Sequence, residues 1–185
     1  DAIHDLMTAA INALHNERGE ALTRRVLRED AVSLVGRAVF TRFLADRGLL
    51  SDEDICAILG ATGRAQELFD SPVHAAATCA WLDRTFNGEF LQVSFVVSVP
   101  ELGARVKDAG WRALSNIMHK TLGGQQRLSG GDSLAWPDLD FSRIPIGVLS
   151  QVYERQAHEW QPDQSRADSV YYTPTAVATL MVEQV

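Results

Sequence analysis

The sequence predicts an all-α chain: an irregular helical bundle with long loops and room for one short extended or β segment. Three observations lead there. Apolar residues recur at helix spacing over most of the length. Helix-start and helix-stop residues bracket those stretches. Only "FLQVSFVVSV" (90–99) reads as a strand, and no partner strand accompanies it.

The first stretch, from Ala2 to about Asn16, puts Ile3, Leu6, Met7, Ala10, Ile11 and Leu14 on one face, and Gly19 breaks it. From Glu20 to Arg47 the pattern resumes with Leu22, Val26, Ala31, Leu34, Val35, Ala38, Val39, Phe43 and Leu44. That is one long helix, or two joined near Glu29-Asp30, with Gly48 where a C-cap belongs. "SDEDICAILG" is a short helix: Ser51 caps it, Asp52, Glu53 and Asp54 favour its positive end, and Gly60 stops it. A second short helix covers Arg64 to Phe69. Ser71-Pro72 then opens another that runs to Asn87-Gly88, with proline at its first position. Pro100 begins a helical region through Leu122, with a break near Gly110. "GGQQRLSGGDSLAWPDLDFSR" is rich in Gly, Ser and Asp and reads as a loop of about 20 residues, a length often tied to function. "IPIGVLSQVYERQAHEW" is helical again, "QPDQSRADS" is a polar loop, and a closing helix follows "YYTP". The expected domains are 1–160, helical, and 161–185, a linker with the first helix of a further domain.

Composition excludes some functions. The chain has 185 residues and a formal net charge of -7. That charge opposes strong autonomous binding to nucleic acid, which relies on neutralising phosphates. No apolar run approaches the ~18 residues of a membrane span, and no secretory signal opens the chain, so the expected location is the cytoplasm, away from membranes. The cysteines, Cys56 and Cys79, both sit among apolar neighbours and read as small buried residues rather than a disulfide. His4, His15, His74, His119 and His158 are scattered, and no Cys-x-x-Cys or His-x-x-x-His spacing offers a metal site. Arg105 and Met118 stand two before the only lysines, Lys107 and Lys120, where a metal-dependent nuclease needs an acid. The glycines of "LGGQQRLSGGD" follow no strand and form no phosphate cradle. No nucleophile elbow is present. Arg24, Arg25, Arg28, Arg37 and Arg42 are weak candidates for phosphate contacts. A solvated face pairing with Glu20 and Glu29 explains the first three equally well.

Four segments in order carry a resemblance: "LVGRAVFTRFLADRGLL" (34–50), "WLDRTFNGEF" (81–90), "LDFSRIPIGVLSQVYER" (139–155) and "SVYYTPTAVATLMVEQ" (169–184). Together they resemble the helical region of large adenine-specific DNA methyltransferases, including the fused restriction-methylation enzymes of type IIG and related phage-defence methylases. The resemblance implies a non-catalytic helical domain that connects and positions an S-adenosylmethionine-dependent catalytic domain on DNA. Its partners would be DNA, through the full-length protein, and its own C-terminal methyltransferase domain. It implies that Tyr172, Thr173 and Pro174 line the methionine end of S-adenosylmethionine in the full-length protein, where a helix start stabilises a carboxylate. The Gly-rich cofactor loop and the Asn-Pro-Pro-Tyr or Asp-Pro-Pro-Tyr motif that holds a flipped adenine are not in this sequence. The expectation is therefore a fragment with no activity and no cofactor of its own, ending where the catalytic domain begins. Two other readings stay open: a free-standing all-α module that binds another protein, and a regulatory DNA-binding domain, which the acidic balance disfavours.

Overall fold

A computed structural model of the chain describes residues 2–15, 26–86, 91–119, 141, 144, 145, 147, 148 and 151. Among the described residues the structure is helical and contains no strand. The chain divides into two compact units, Asp1–Ser142 and Arg143–Val185. In the second unit the Val148 N–H donates to the Pro145 carbonyl (2.9 Å), where the sequence places a helix start.

Helix α1 (Ala2–Leu14) buries Ile3, Met7, Ala10, Ile11 and Leu14, the stripe that its spacing predicts, while Leu6 stays half-buried at its margin. Full burial of side chains such as Ile11 and Leu14 contributes roughly 1.5–3 kcal/mol each. Helix α2 (Arg28–Asp46) is the centre of the unit and is buried on most of its circumference. It ends in a Schellman motif: Gly48 N–H donates to Ala45 O (3.1 Å) and Leu49 N–H to Leu44 O (2.9 Å), with Gly48 at φ 67°. Only glycine takes that conformation without cost. Helix α3 (Asp52–Leu59) has the Ser51 cap as expected, completed into a capping box by Asp54. The stretch after it is not a second helix of its own but a single 3-10 turn, Ala65–Glu67, that seats Leu68 and Phe69 in the core.

Helix α4 (Pro72–Thr85) starts at the Ser71 cap with proline in its first turn. The Thr78 hydroxyl reaches Leu68 O (2.9 Å) and His74 O (2.8 Å), which ties the preceding loop to the helix. The region opened by Pro100 is two helices, α5 (Val99–Arg105) and α6 (Asp108–Met118). Their break falls at Val106-Lys107, and Gly110 lies inside α6 instead. Gly110 has a packing reason: a Cβ there would stand 2.9 Å from Val106 Cγ1 and 3.3 Å from Leu14 Cγ. Its absence lets α6 lie close against α1. Helix α1 packs on α6 and α2, α2 on α6, and α4 on α3 and α5.

Of the two forms expected for this segment, extended or β, the structure shows the extended one. Residues 91–98 form an irregular extended strap across α2, and they alternate between half-buried and exposed. The Asp30 carboxylate accepts from Ser94 N–H (2.6 Å) and the Ser94 hydroxyl (2.8 Å), and Arg37 Nε donates to Leu91 O (3.0 Å). Asp30 and Arg37 are two helical turns apart, roughly 10 Å along the axis. Leu91 and Ser94 are three residues apart, about 10 Å when extended. The strap thus runs antiparallel to α2 with its length set by two side chains of the helix. The alternating apolar pattern of a strand is present, but a helix supplies the hydrogen bonds. Leu91 sits at φ 53°, which costs a non-glycine residue roughly 1–2 kcal/mol.

Candidate functional site

The candidate residues must be weighed by what α2 does with its charges. A buried charge has to be paired and hydrogen-bonded to be tolerated. Helix α2 buries Asp30, Arg37 and Arg42, and each has partners from a different part of the chain.

Arg37 is 2 % exposed. Besides Leu91 O, its guanidinium meets Asp83 of α4, with Nη2 2.8 Å from Oδ1. Arg37 Nη1 and Asp83 Oδ1 are both buried without a well-aligned hydrogen bond, so charge rather than bond geometry holds this pair. Cys79, one turn before Asp83, adjoins the same guanidinium. Burial alone would pull the Arg37 pKa down, but Cys79 and Asp83 outweigh it and leave it above its ordinary value. Burial pushes the Cys79 thiol up to about 11, against the opposing pull of Arg37. The thiol is therefore protonated and inert at neutral pH.

Arg42 is 5 % exposed. Its Nε donates to Asp46 Oδ2 (2.8 Å), one turn along α2. Its Nη1 donates to Ile117 O (2.7 Å) and His119 O (3.1 Å) at the end of α6. Its Cζ lies 5.4 Å from the centre of the Phe141 ring. Phe141 is fully buried, and its N–H donates to Asp46 Oδ2 at 3.3 Å.

The candidate arginines that the structure describes differ in depth. Arg37 and Arg42 lie in the interior and are committed to Asp83, Asp46 and main-chain carbonyls, so in this fold neither is presented to a phosphate. Arg28 is half-buried at the start of α2. Arg24 and Arg25 lie outside the described residues, as do Tyr172, Thr173 and Pro174, the residues implied for S-adenosylmethionine.

The acids of "SDEDIC" have a structural use. The Asp54 carboxyl is held below its ordinary range first by the Ser51 hydroxyl and N–H, then by Trp81. Among the described residues no group of three His, Cys, Asp or Glu side chains could hold a metal ion. Cys79 is buried as its neighbours suggest, but Cys56 is exposed, because α3 turns that face outward and packs on α4 with Ile55, Ile58 and Leu59 half-covered.

Sequence reasoning missed Asp30, Asp46 and Asp83, and the place of Cys79 beside Arg37. A signal was available. Arg37 and Arg42 interrupt an otherwise apolar helix ("LVGRAVFTRFLAD"), and a charge at a core position demands a buried partner. Asp46 lies one turn from Arg42, but Asp83, the partner of Arg37, lies far along the chain.

The same contacts join the segments that carry the resemblance. The first (34–50) meets the second (81–90) through Arg37 and Asp83, and through Phe40 and Phe86, whose rings pack edge to face at 5.2 Å. It meets the third (139–155) where Arg42 and Asp46 hold Phe141. The fourth lies outside the described residues. No family model, curated protein or solved structure matches this chain.

Proposed function

We propose that the chain is the non-catalytic helical domain of a site-specific adenine DNA methyltransferase of the restriction-modification or phage-defence kind. It connects an S-adenosylmethionine-dependent catalytic domain to DNA and positions it there. One observation supports this reading beyond the quoted segments themselves. The first of those segments lies largely in α2, and two others, far along the sequence, meet it there through buried charged contacts. Residue types that are expensive to bury serve here to fix the relative positions of helices. A rigid helical platform suits a positioning role.

In this reading the arginines divide by depth. Arg37 and Arg42 hold the platform together, and contact with phosphates falls to Arg24, Arg25 and Arg28. Tyr172, Thr173 and Pro174 face the methionine end of the cofactor in the full-length protein, whose other domain supplies methyl transfer. The proposed location is cytoplasmic; among the described residues no helix is long and apolar enough to cross a membrane.

The test is transfer of a labelled methyl group from S-adenosylmethionine to adenine in mixed-sequence duplex DNA. The full-length protein and the isolated chain are assayed side by side. The reading expects labelling by the former and background from the latter. A full-length protein that labels no DNA, or an isolated chain that does, overturns it.

A further inference from the structure

The strap over α2 uses one of its edges and leaves the other open. Ser94 turns its N–H to Asp30 Oδ1 (2.6 Å). In an extended chain the main-chain groups of successive residues face opposite edges, so Phe95 and Val97 turn theirs away from Asp30. Among the described residues the main chain of Phe95, Val96 and Val97 makes no hydrogen bond. The side chain between them, Val96, is 77 % exposed, more than any other large apolar side chain among the described residues. Folded proteins ordinarily blunt such an edge with lysine, proline or a covering element. Here "FLQVSFVVSV" (90–99) contains neither a charge nor a proline.

We infer that this edge pairs with the same edge of a second copy of the chain, as a short antiparallel ladder across a two-fold axis at Val96. The sequence selects that partner, because Ser94-Phe95-Val96-Val97-Ser98 reads nearly alike in both directions. Laid antiparallel on itself and centred on Val96, it sets Val96 against Val96, Phe95 against Val97 and Ser94 against Ser98. Aromatic and β-branched residues are favoured cross-strand neighbours. The main chain selects the same register. Each of the two Phe95–Val97 pairs exchanges both of its bonds, and these are the residues whose groups are open. Ser94 and Ser98 keep their own partners, Asp30 and the first turn of α5. Charge agrees: each copy has a formal net charge of -7, and two such copies repel least where neither presents a charge. Leu27, one turn before Asp30, and Val99, next to Ser98, are also exposed and widen the apolar surface at this end of the strap. A ladder over residues 94–98 is smaller than the roughly 20–30 residues a side of a stable interface, so the pairing is weak and depends on concentration. The inference goes beyond the proposed DNA role and does not depend on it.

Sedimentation equilibrium of the whole chain tests the pairing, from about 10 µM to about 1 mM, the span of weak complexes. Two variants stand beside the parent. Val96→Lys sets like charges opposite each other on the axis. Val73→Lys makes the same change at another exposed valine, on α4. The average mass of the parent should rise toward that of two copies across the range, and Val73→Lys should follow it. Val96→Lys should raise the dissociation constant at least tenfold, with the melting temperature of the dilute protein unchanged. A parent that stays single throughout overturns the inference, and so does a Val96→Lys that pairs as the parent does. Pairing lost equally in Val73→Lys places the contact elsewhere and overturns it too. A lowered melting temperature in dilute Val96→Lys would show that Val96 packs within its own chain, with the same result.

Discussion

The guanidinium of Arg37 lies 2.8 Å from Asp83 Oδ1, and the two groups are unequally buried: 3 % of the Arg37 side chain is exposed against 37 % of Asp83. The inequality predicts an asymmetry in their substitution. Asp83→Ala strands a buried guanidinium and is expected to cost about 3 kcal/mol. Arg37→Met removes the buried charge, leaves Asp83 able to turn to water, and is expected to cost less, about 1–2 kcal/mol, including the lost bond to Leu91 O. Urea unfolding of both variants and the double variant checks this. Equal costs would mean that the pair acts as a surface ion pair.

Cys79 predicts a loss of stability at alkaline pH. Its thiol has an ordinary value of 9.0 and is raised by burial to about 11 in the folded chain. Below pH 9 both states hold the proton and the group is neutral in its effect. Above it the unfolded chain releases the proton while the folded chain retains it, so stability falls as pH rises from about 9 to about 11. A shift of that size corresponds to at most about 3 kcal/mol. Tyrosines and lysines titrate in the same range, so the measurement is the difference between parent and Cys79→Ala in unfolding free energy at pH 8 and pH 10.5. The difference should narrow or change sign at the higher pH. In the same protein a thiol reagent at neutral pH should modify exposed Cys56 rapidly and Cys79 only on unfolding.

Much of this fold was legible because its helices announce their ends. Ser51 with Asp54, Ser71 with Pro72, and Gly48 after Leu44 are local signals, each read within one turn of chain. The stripe of α1 was equally local. The sequence leaves residues 91–98 open between a strand and an extended segment for a physical reason. Alternation reports one covered face but not which partner makes the hydrogen bonds, and here the partners are Asp30 and Arg37, some sixty residues upstream. The depth of the arginines is hidden in the same way. Arginine in a surface stripe and arginine at a core position look alike until Asp83, Ile117 and Phe141 come into view, and those are distant in sequence. The break expected at Gly110 moved to Val106-Lys107 because glycine is tolerated inside a helix where a neighbouring helix needs the space.

The depth of the arginines predicts how the isolated chain meets DNA. With a net charge of -7 it should bind duplex DNA weakly, and binding should vanish between about 50 and 200 mM salt. Changing Arg24, Arg25 and Arg28 together to glutamine should abolish the residual binding while the melting temperature stays close to the parent's. Arg37→Met should leave the low-salt affinity within about twofold, measured where the variant is folded, because its guanidinium is buried. Fluorescence anisotropy across a salt series, beside thermal melts, gives both quantities. Tight binding indifferent to salt contradicts the assignment.

Gly110 makes the last prediction, and two opposing effects decide its sign. Alanine in place of glycine within a helix ordinarily stabilises by about 1 kcal/mol. At Gly110 the new methyl would stand 2.9 Å from Val106 Cγ1 and 3.3 Å from Leu14 Cγ. Neither neighbour gives way easily: Val106 is β-branched and buried, and Leu14 is buried between α1 and α6. Overpacking of this kind costs typically about 1–3 kcal/mol, so the clash outweighs the propensity. Gly110→Ala should lose about 1 kcal/mol net and lower the melting temperature by roughly 2–4 °C. A double-mutant cycle identifies the cause. Val106→Ala alone leaves a cavity and costs stability, but in the Gly110→Ala background it also removes the closest clash. The double variant should therefore lose at least about 0.5 kcal/mol less than the sum of the single losses. Strict additivity would place the strain elsewhere, and a stabilised Gly110→Ala would show that α6 does not press on α1 at this residue.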